Sequence, residues 1–571
     1  MSKLDAYRAG TQPVPQRMLK WHFYGDGYDS LKVEEVDVPQ PGPYELLVRQ
    51  DANGLCFSDT KVIALGAGHP RMVGRDLSVD PATLGHEVAI TVVQVGADLA
   101  EKFSVGQRFI VQADVFYKGV SMAYGYAISG GLSQYSIIPQ AMIDGDEGCY
   151  LLPISDETCY AETALVEPWA CVVGAYNQGH RAGIKAGGRL LVLAGPGAGG
   201  EVWDGAAPEG PAGSALVVGD YAAALPLADG APCKSVASVE DWAALKAAET
   251  GDAGFDDILV LGAPEPEAIE GAASTLANHG MLNFVGPHAV ARKLTIDIGR
   301  IHYNWHHYMG TSALEAAAAY AEPRGADLLA GGMAWFIGAA GPMGQMHVQR
   351  AVMHANPPSL IVGTDIDDGR LATLVDRLSG EAKKRGVRLV TINPKGMSPE
   401  EFNLELKRLT GGKGFDDIIS LVPVPALIEH SIDFLGDNAW CNVFAGVARG
   451  TMAQLDADAI RNRGVRFIGS SGSSIADMRQ TLAMVEAKEL NTNASLAAIG
   501  GMKTAQEGLL GVKNGRFPGK TLVFPLIEEM PLMSLAELKE AYPTVYAKMQ
   551  DGKFWTKAAE EELFTLTVAA E

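Results

Sequence analysis

The chain reads as an α/β plus β protein, with a β-rich domain built from both ends of the sequence and two tandem α/β units between them. Three observations carry that reading. Short apolar runs separated by Gly and Pro turn signals fill residues 18–150. From about residue 186, apolar strands lead into glycine-rich turns. The pentapeptide Gly-Phe-Asp-Asp-Ile occurs at 254 and again at 414.

Composition bounds what the chain can be. With 571 residues it exceeds one ordinary domain, and 47% hydrophobic content with interspersed charge describes a globular chain. A net charge of -22 excludes nucleic acid or an anionic membrane as the main partner, because both demand a basic surface. Six cysteines over this length do not form a disulfide framework. No apolar signal core follows Met1, and no run of about 20 apolar residues occurs. The expected location is the cytoplasm, and oligomeric state is left open.

Taken in order, Met18–Tyr24, Leu31–Val33 and Glu45–Arg49 read as strands punctuated by Gly-Asp-Gly and by Pro39, Pro41 and Pro43. Val88–Val93, Arg108–Val111 and Gly130–Pro139 continue the pattern, and residues 160–180 read as helix. Arg189–Ala194 is a buried-strand run followed by Gly195-Pro-Gly-Ala-Gly-Gly200, and Ala215–Val218 leads to Asp220. Met333–Ile337 restarts the sequence of signals, leading to Gly338-Ala-Ala-Gly-Pro-Met-Gly344, and Leu360–Val362 leads to Asp365. Phe-x-Gly at 284 and 444 repeats the 160-residue offset of the pentapeptide, and Gly-Thr-Ser at 310 answers Gly-Ser-Ser at 469. Two tandem Rossmann units are expected, spanning 186–330 and 331–494. Residues 1–185 form the remaining β-rich domain, completed by about 495–571, where a helix is expected near 533–550.

Asn53-Gly-Leu-Cys-Phe-Ser-Asp59, Gly85-His-Glu87 and Glu167-Pro-Trp169 carry the chemistry. Cys56, His86, Glu87 and Glu167 offer one thiolate, one imidazole and two carboxylates, a donor set suited to a catalytic Zn²⁺ with an open position. Any one of them alone would read as an ordinary core or turn residue. Cys-x-Ser-Asp, then Gly-His-Glu, then Glu-Pro, resembles the zinc-dependent medium-chain dehydrogenases, in the sorbitol, threonine and sugar-phosphate branch. The resemblance implies a partly open, GroES-like β-barrel catalytic domain over the N-terminal region. It implies Cys56, His86, Glu87 and Glu167 as metal ligands, the last binding directly or through water. It also implies Asp59 as the carboxylate orienting the histidine, Ser58 as the hydroxyl that relays the substrate proton, and a catalytic part for Glu87. His69 is either pocket-lining or a surface histidine. The four close cysteines that many relatives use for a second, structural zinc are missing, so a single metal site is expected.

The two glycine loops differ in quality. Gly195-x-Gly197-x-x-Gly200 matches the dinucleotide pattern, and Asp220 stands 20 residues after Gly200. Two prolines and three glycines between Glu201 and Gly213 deny it the helix that would present free N–H groups to a pyrophosphate. The second loop is looser in pattern, but Gln345–His354 can form that helix. Gly338, Gly341, Pro342, Met343, Gly344, Asp365 and Arg370 are therefore the expected cofactor residues, with Asp365–Leu371 resembling the family's ribose-binding turn. A carboxylate at 365 favours NAD over NADP. Residues 338–351 further resemble sorbose-1-phosphate reductase-type members. The expected activity is zinc-dependent hydride transfer between NAD and a secondary alcohol of a polyol, sugar or sugar phosphate. The alternative is a redox-neutral lyase or epimerase that keeps NAD bound and oxidises its substrate transiently.

Overall fold

The structure, a computed structural model, describes residues 2–72, 74–321 and 324–568. The chain divides into two compact units. The first comprises Met1–Val173, Gly341–Met346 and Gly472–Glu571, and the second Gly174–Ala340 and His347–Ser471.

The first unit is organised on the strand Leu46–Leu55, whose ten residues are all buried. It pairs antiparallel with Glu87–Val95, Tyr135–Ile138 and Lys520–Phe524. The sheet runs outward through Arg108–Val111 to Leu151–Pro153 on one side and through Leu496–Gly501 to Met533–Ser534 on the other. Among the described residues no pairing joins those two ends, so the sheet curls without closing. Three of its strands, Leu496–Gly501, Lys520–Phe524 and Met533–Ser534, come from the C-terminal part of the chain. Arg17–Phe23 and Leu31–Asp37 form a separate antiparallel ribbon. Trp21, Phe23 and Leu31 from that ribbon pack with Ile63, Leu84, Leu509 and Val523 in one core.

Two helical expectations need correction. Residues 160–180 do not form one helix: Tyr160–Ala164 ends at Leu165, and Val166–Gly174 follows. In place of one helix near 533–550 there are two short ones, Leu538–Ala541 and Pro543–Tyr546, because Pro543 cannot donate to a continuing helix. A further helix, Lys557–Leu566, carried no recognised signal; Thr556 caps it by accepting from the Ala559 N–H.

The second unit holds one twelve-stranded sheet. In chain order its strands are β1 (Arg189–Ala194), β2 (Ser214–Val218), β3 (Cys233–Val236), β4 (Phe255–Leu261), β5 (Leu276–Val285), β6 (His307–Thr311), β7 (Met333–Ile337), β8 (Leu360–Thr364), β9 (Arg388–Ile392), β10 (Phe415–Ser420), β11 (Leu435–Val443) and β12 (Arg466–Ile468). Their spatial order is β3-β2-β1-β4-β5-β6-β12-β11-β10-β7-β8-β9. Each half is parallel and has the strand order of a doubly wound α/β sheet.

The halves meet at an antiparallel seam where Tyr308 faces Phe467. A second antiparallel ladder, Leu294–Asp297 with Met452–Leu455, pairs Thr295 with Gln454. Both facing pairs are 159 positions apart, the same offset as the Gly-Thr-Ser and Gly-Ser-Ser turns. Corresponding residues thus face each other, as across a two-fold axis.

The repeated pentapeptide has a physical reason. Asp257 accepts from the Arg181 guanidinium at 2.8 Å and from the Lys185 N–H at 2.9 Å. Asp417 accepts from Arg324 at 2.6 Å and from the Leu329 N–H at 2.9 Å. The preceding residues repeat the scheme, Asp256 taking the Arg189 N–H and Asp416 the Met333 N–H. Each Asp-Asp pair therefore ties the segment entering the first strand of its half to the fourth. Burial pushes both the Asp257 and Asp417 carboxyls up, against the pull of their arginines, so the pairs specify register more than they add stability.

Arg324→Met is expected to lower stability by about 3–5 kcal/mol, because it strands the Asp417 charge in the interior. The double replacement Arg324→Met, Asp417→Leu should recover most of that loss. Urea unfolding of the three proteins checks both statements, and an unchanged midpoint for the single variant would refute them.

Candidate functional site

The site grows from the edge of strand Leu46–Leu55. Gly54 faces Glu87 across the ladder, so one pairing brings the Cys56 end of the first strand to the His86-Glu87 start of the next. Gly54 has to be glycine there, since a Cβ would lie 2.1 Å from the Glu87 Oε2. Gly85 sits at φ +95°, where a Cβ would lie 2.4 Å from the Asn53 Oδ1. That conformation turns the chain into His86.

Cys56 is extended and caps the helix Phe57–Leu65, with its side chain facing the first-turn amides. Asp59 lies in that first turn, fully buried, and accepts from the Cys56 N–H at 3.1 Å. Its Oδ1 stands 3.2 Å from the His86 Nδ1. Ser58 Oγ donates to Cys56 Sγ at 3.0 Å and lies 3.2 Å from His86 Nε2.

Ligand atoms of Cys56, His86 and Glu87 all fall within 4.8 Å of one another. Glu87 is fully buried; its Oε1 accepts from Lys520 Nζ at 2.5 Å, and among the described residues Oε2 has no hydrogen-bond partner. Glu167, on the helix Val166–Gly174, stands outside that three-residue group but within its field. Burial pushes the Glu167 carboxyl up to about 7, with His86 opposing and Glu87 reinforcing. Burial disfavours the His86 cation, yet Asp59, Tyr126 and Cys56 raise its pKa well above the ordinary histidine value. Three buried carboxylates and a thiol thus share one lysine and one imidazole. This donor chemistry, with an unpartnered buried carboxylate oxygen, fits a divalent cation of borderline softness such as zinc.

Lys520 was missed by sequence reasoning, and no local signal marks it. Tyr126 was missed too: its ring lies 5.9 Å from that of His86 and stacks on His69 at 5.7 Å. Arg71 lies over the same ring and pairs with Asp114 at 2.5 Å.

The glycine loops follow β1 and β7. After β1 no helix forms before β2, as the prolines require. The loop's Gly199 N–H donates to the Glu201 carboxylate at 2.9 Å, and His288 lies where a side chain at 197 would go. Asp220 is exposed beyond β2. After β7, Gly338 has φ +83° and the helix Pro342–Met353 starts within the loop, with Met343 and Gly344 in its first turn. Pro342 at the first helical position loses no hydrogen bond. Asp365, past the end of β8, accepts from the Ala340 N–H at 3.1 Å and the Asp367 N–H at 3.2 Å. Asp367 in turn caps the helix that carries Arg370.

Residues 42–144 match the alcohol dehydrogenase GroES-like domain family. The uncharacterized protein YggP of Escherichia coli (strain K12) is 35% identical over 528 residues, 90% of this chain and 88% of that protein. Mannitol-1-phosphate 5-dehydrogenase of Aliivibrio fischeri is 32% identical over 312 residues, 50% of this chain and 72% of that protein. L-sorbose 1-phosphate reductase of Klebsiella pneumoniae is 32% identical over 307 residues, 50% of this chain and 73% of that protein. No described helix is long and apolar enough to cross a membrane. With Cys56, Ser58, Asp59, His86 and Glu87 gathered at one buried point and these sequence matches along the chain, the protein belongs to the zinc-dependent medium-chain dehydrogenase/reductase family.

Proposed function

We propose that the protein is a zinc-dependent oxidoreductase that transfers a hydride between NAD and a secondary alcohol of a polyol, sugar or sugar phosphate. The carrying observation is the Cys56–His86–Glu87 group, its imidazole and carboxylate buried and its thiol half-buried, with Ser58 Oγ between the thiol and the imidazole. Cys56, His86 and Glu87 would hold the metal, with Glu167 as a fourth donor, directly or through water. Bound there, zinc supplies a Lewis acid for the substrate oxygen and NAD supplies the hydride acceptor.

The chain's own residues do the rest. Ser58 Oγ accepts the proton of the substrate hydroxyl and passes it outward. Asp59 holds the His86 ring from its Nδ1 side, and Lys520 fixes Glu87 and balances its charge. Gly338, Gly341, Pro342, Met343 and Gly344 would cradle the pyrophosphate at the helix start. Asp365 would take the ribose hydroxyls and repel a 2′-phosphate, with Arg370 in the adjoining turn. Two relatives named for sugar-phosphate substrates favour a phosphorylated polyol. Their names describe net redox enzymes, which favours net oxidation or reduction over the redox-neutral alternative. The six free cysteines support a cytoplasmic setting.

The identical strand order of the two halves, and the facing of corresponding residues at the seam, support two tandem Rossmann domains at 186–330 and 331–494. The catalytic domain would be residues 1–185, completed by about 495–571. The first Rossmann copy is the degenerate one, since its own Glu201 carboxylate takes a loop N–H that a phosphate would need.

Cys56→Ser is expected to cut zinc content, read by mass spectrometry of the purified protein, to a small fraction of wild type and to abolish NAD reduction; full metal occupancy in that variant would sink the assignment. Lys520→Met should lower activity or metal affinity by about 10- to 100-fold, the usual cost of losing a partner that orients a ligand. Asp365→Ala should weaken NAD binding in calorimetry, whereas Asp220→Ala leaves it nearly unchanged. The reverse pattern would move the cofactor to the first copy.

A further inference from the structure

A cavity of about 510 Å³ lies at the seam of the twelve-stranded sheet. Gly310, Thr311 and Ser312 line one side, where the chain leaves β6. Asn438, Arg461, Asn462, Arg463 and Arg466 line the other, where the chain enters β12. Its volume falls within the range of small-molecule sites.

Its floor is cationic. Arg461 is only 6% exposed, and one of its nitrogens, Nη2, donates to Asp458 at 2.8 Å. Among the described residues its Nε and Nη1 are buried without a hydrogen-bond partner. Leaving guanidinium N–H groups dry and unpaired costs free energy that an anion would recover. Arg466, also buried, reaches the Ala321 carbonyl and lies 3.3 Å from His180 Nε2. Arg463 donates to the Leu435 carbonyl. The lining holds one carboxylate, Asp437, and it is exposed at the rim. The neighbouring His307 is pushed down to about 3, first by burial and then by the positive charges of His180, His279, Arg466 and Arg181. In a chain of net charge -22, three arginines around one cavity are a local reversal of sign.

The corresponding positions in the other half carry rings instead. Shifted by 159 positions, Asn438 corresponds to His279 and Gly464 to Trp305. The backbones agree: His279 and Asn438 have φ +56° and +55°, and Trp305 and Gly464 have +50° and +64°. In the first half the His279 and Trp305 rings stack at 4.6 Å. In the second half Gly464 contributes no ring. Arg461 and Arg466 stand where His302 and His307 stand in the first half. Sequence divergence at equivalent backbone positions has given one half a packed aromatic stack and the other an arginine-floored cavity.

We propose that this cavity is a binding site for a phosphorylated small molecule, with Arg461 and Arg466 on the phosphate and the Thr311, Ser312 and Asn462 side chains around the remainder. The cavity shares no residue with the proposed metal and NAD sites and does not depend on their assignment. Arg461 lines the cavity and keeps two N–H groups, Nε and Nη1, without a protein partner among the described residues, the donor geometry that suits an oxyanion.

Equilibrium dialysis with radiolabelled inorganic phosphate, repeated with ribose 5-phosphate as competitor at constant ionic strength, tests this on the full-length protein. Saturable phosphate binding is expected, displaced by ribose 5-phosphate at lower concentration because the cavity exceeds the volume of one phosphate group. Arg461→Gln should weaken phosphate binding by at least tenfold. Asn462→Asp, at an exposed rim position where folding is not at stake, should weaken it several-fold by adding a negative charge at the mouth. Absence of saturable binding to the wild-type protein overturns the proposal, as does unchanged affinity in both variants, which would place the bound phosphate elsewhere.

Discussion

The buried charge of Glu87 is the constraint on which the first unit depends. A carboxylate taken wholly out of water is costly unless a cation answers it. Here that cation is Lys520, 433 residues further along the chain. The pair holds the strand Lys520–Phe524 against Leu46–Leu55 and thereby fixes the end of the strand from which Cys56 emerges. Gly54 is glycine because Glu87 occupies the space its side chain would need. The strand Lys520–Phe524 therefore supports the donor group as well as the sheet. Fold and site share the same residues at this point.

The second unit rests on a different constraint, the facing of corresponding residues at its seam. Tyr308 opposite Phe467 and Thr295 opposite Gln454 make the two halves self-complementary. Such a seam preserves the backbone of both halves while leaving their surfaces to diverge. One glycine loop is filled from within by Glu201 and His288, while the other keeps Asp365 beside its backbone. One side of the seam is packed with His279 and Trp305, while the other keeps an open, cationic cavity. At the seam the difference lies in side chains set on closely matching backbone, whereas at the glycine loops the backbone differs too, a helix following only β7.

Much of this was legible in advance where the signal is local. Proline and glycine between 201 and 213 act on their own turn, so the missing helix could be read directly. Pro342 at a helix start and Asp365 at a strand end are local signals too. Residues 160–180 misled because their apolar content suits a helix, while Pro168 cannot donate to the Ala164 carbonyl and so falls in the first turn of a second helix instead of continuing the first. The pentapeptide at 254 and 414 was visible as a repeat, but its cause was not. Only the fold brings Arg181 and Arg324 to Asp257 and Asp417.

The sequence by itself determined which donor types were available, Cys56, His86, Glu87 and Glu167, and that strand and glycine-turn signals recur at a near-constant offset, because spacing and composition act along the chain. Tertiary structure alone decided that Cys56, His86 and Glu87 converge while Glu167 stands just outside their group. It also decided that Lys520 answers Glu87, and that Arg461 lies dry at the floor of a cavity. The physical reason is common to all three. The energy of a buried charge depends on which distant strands become its neighbours, and no stretch of sequence around Lys520 or Arg461 carries that information.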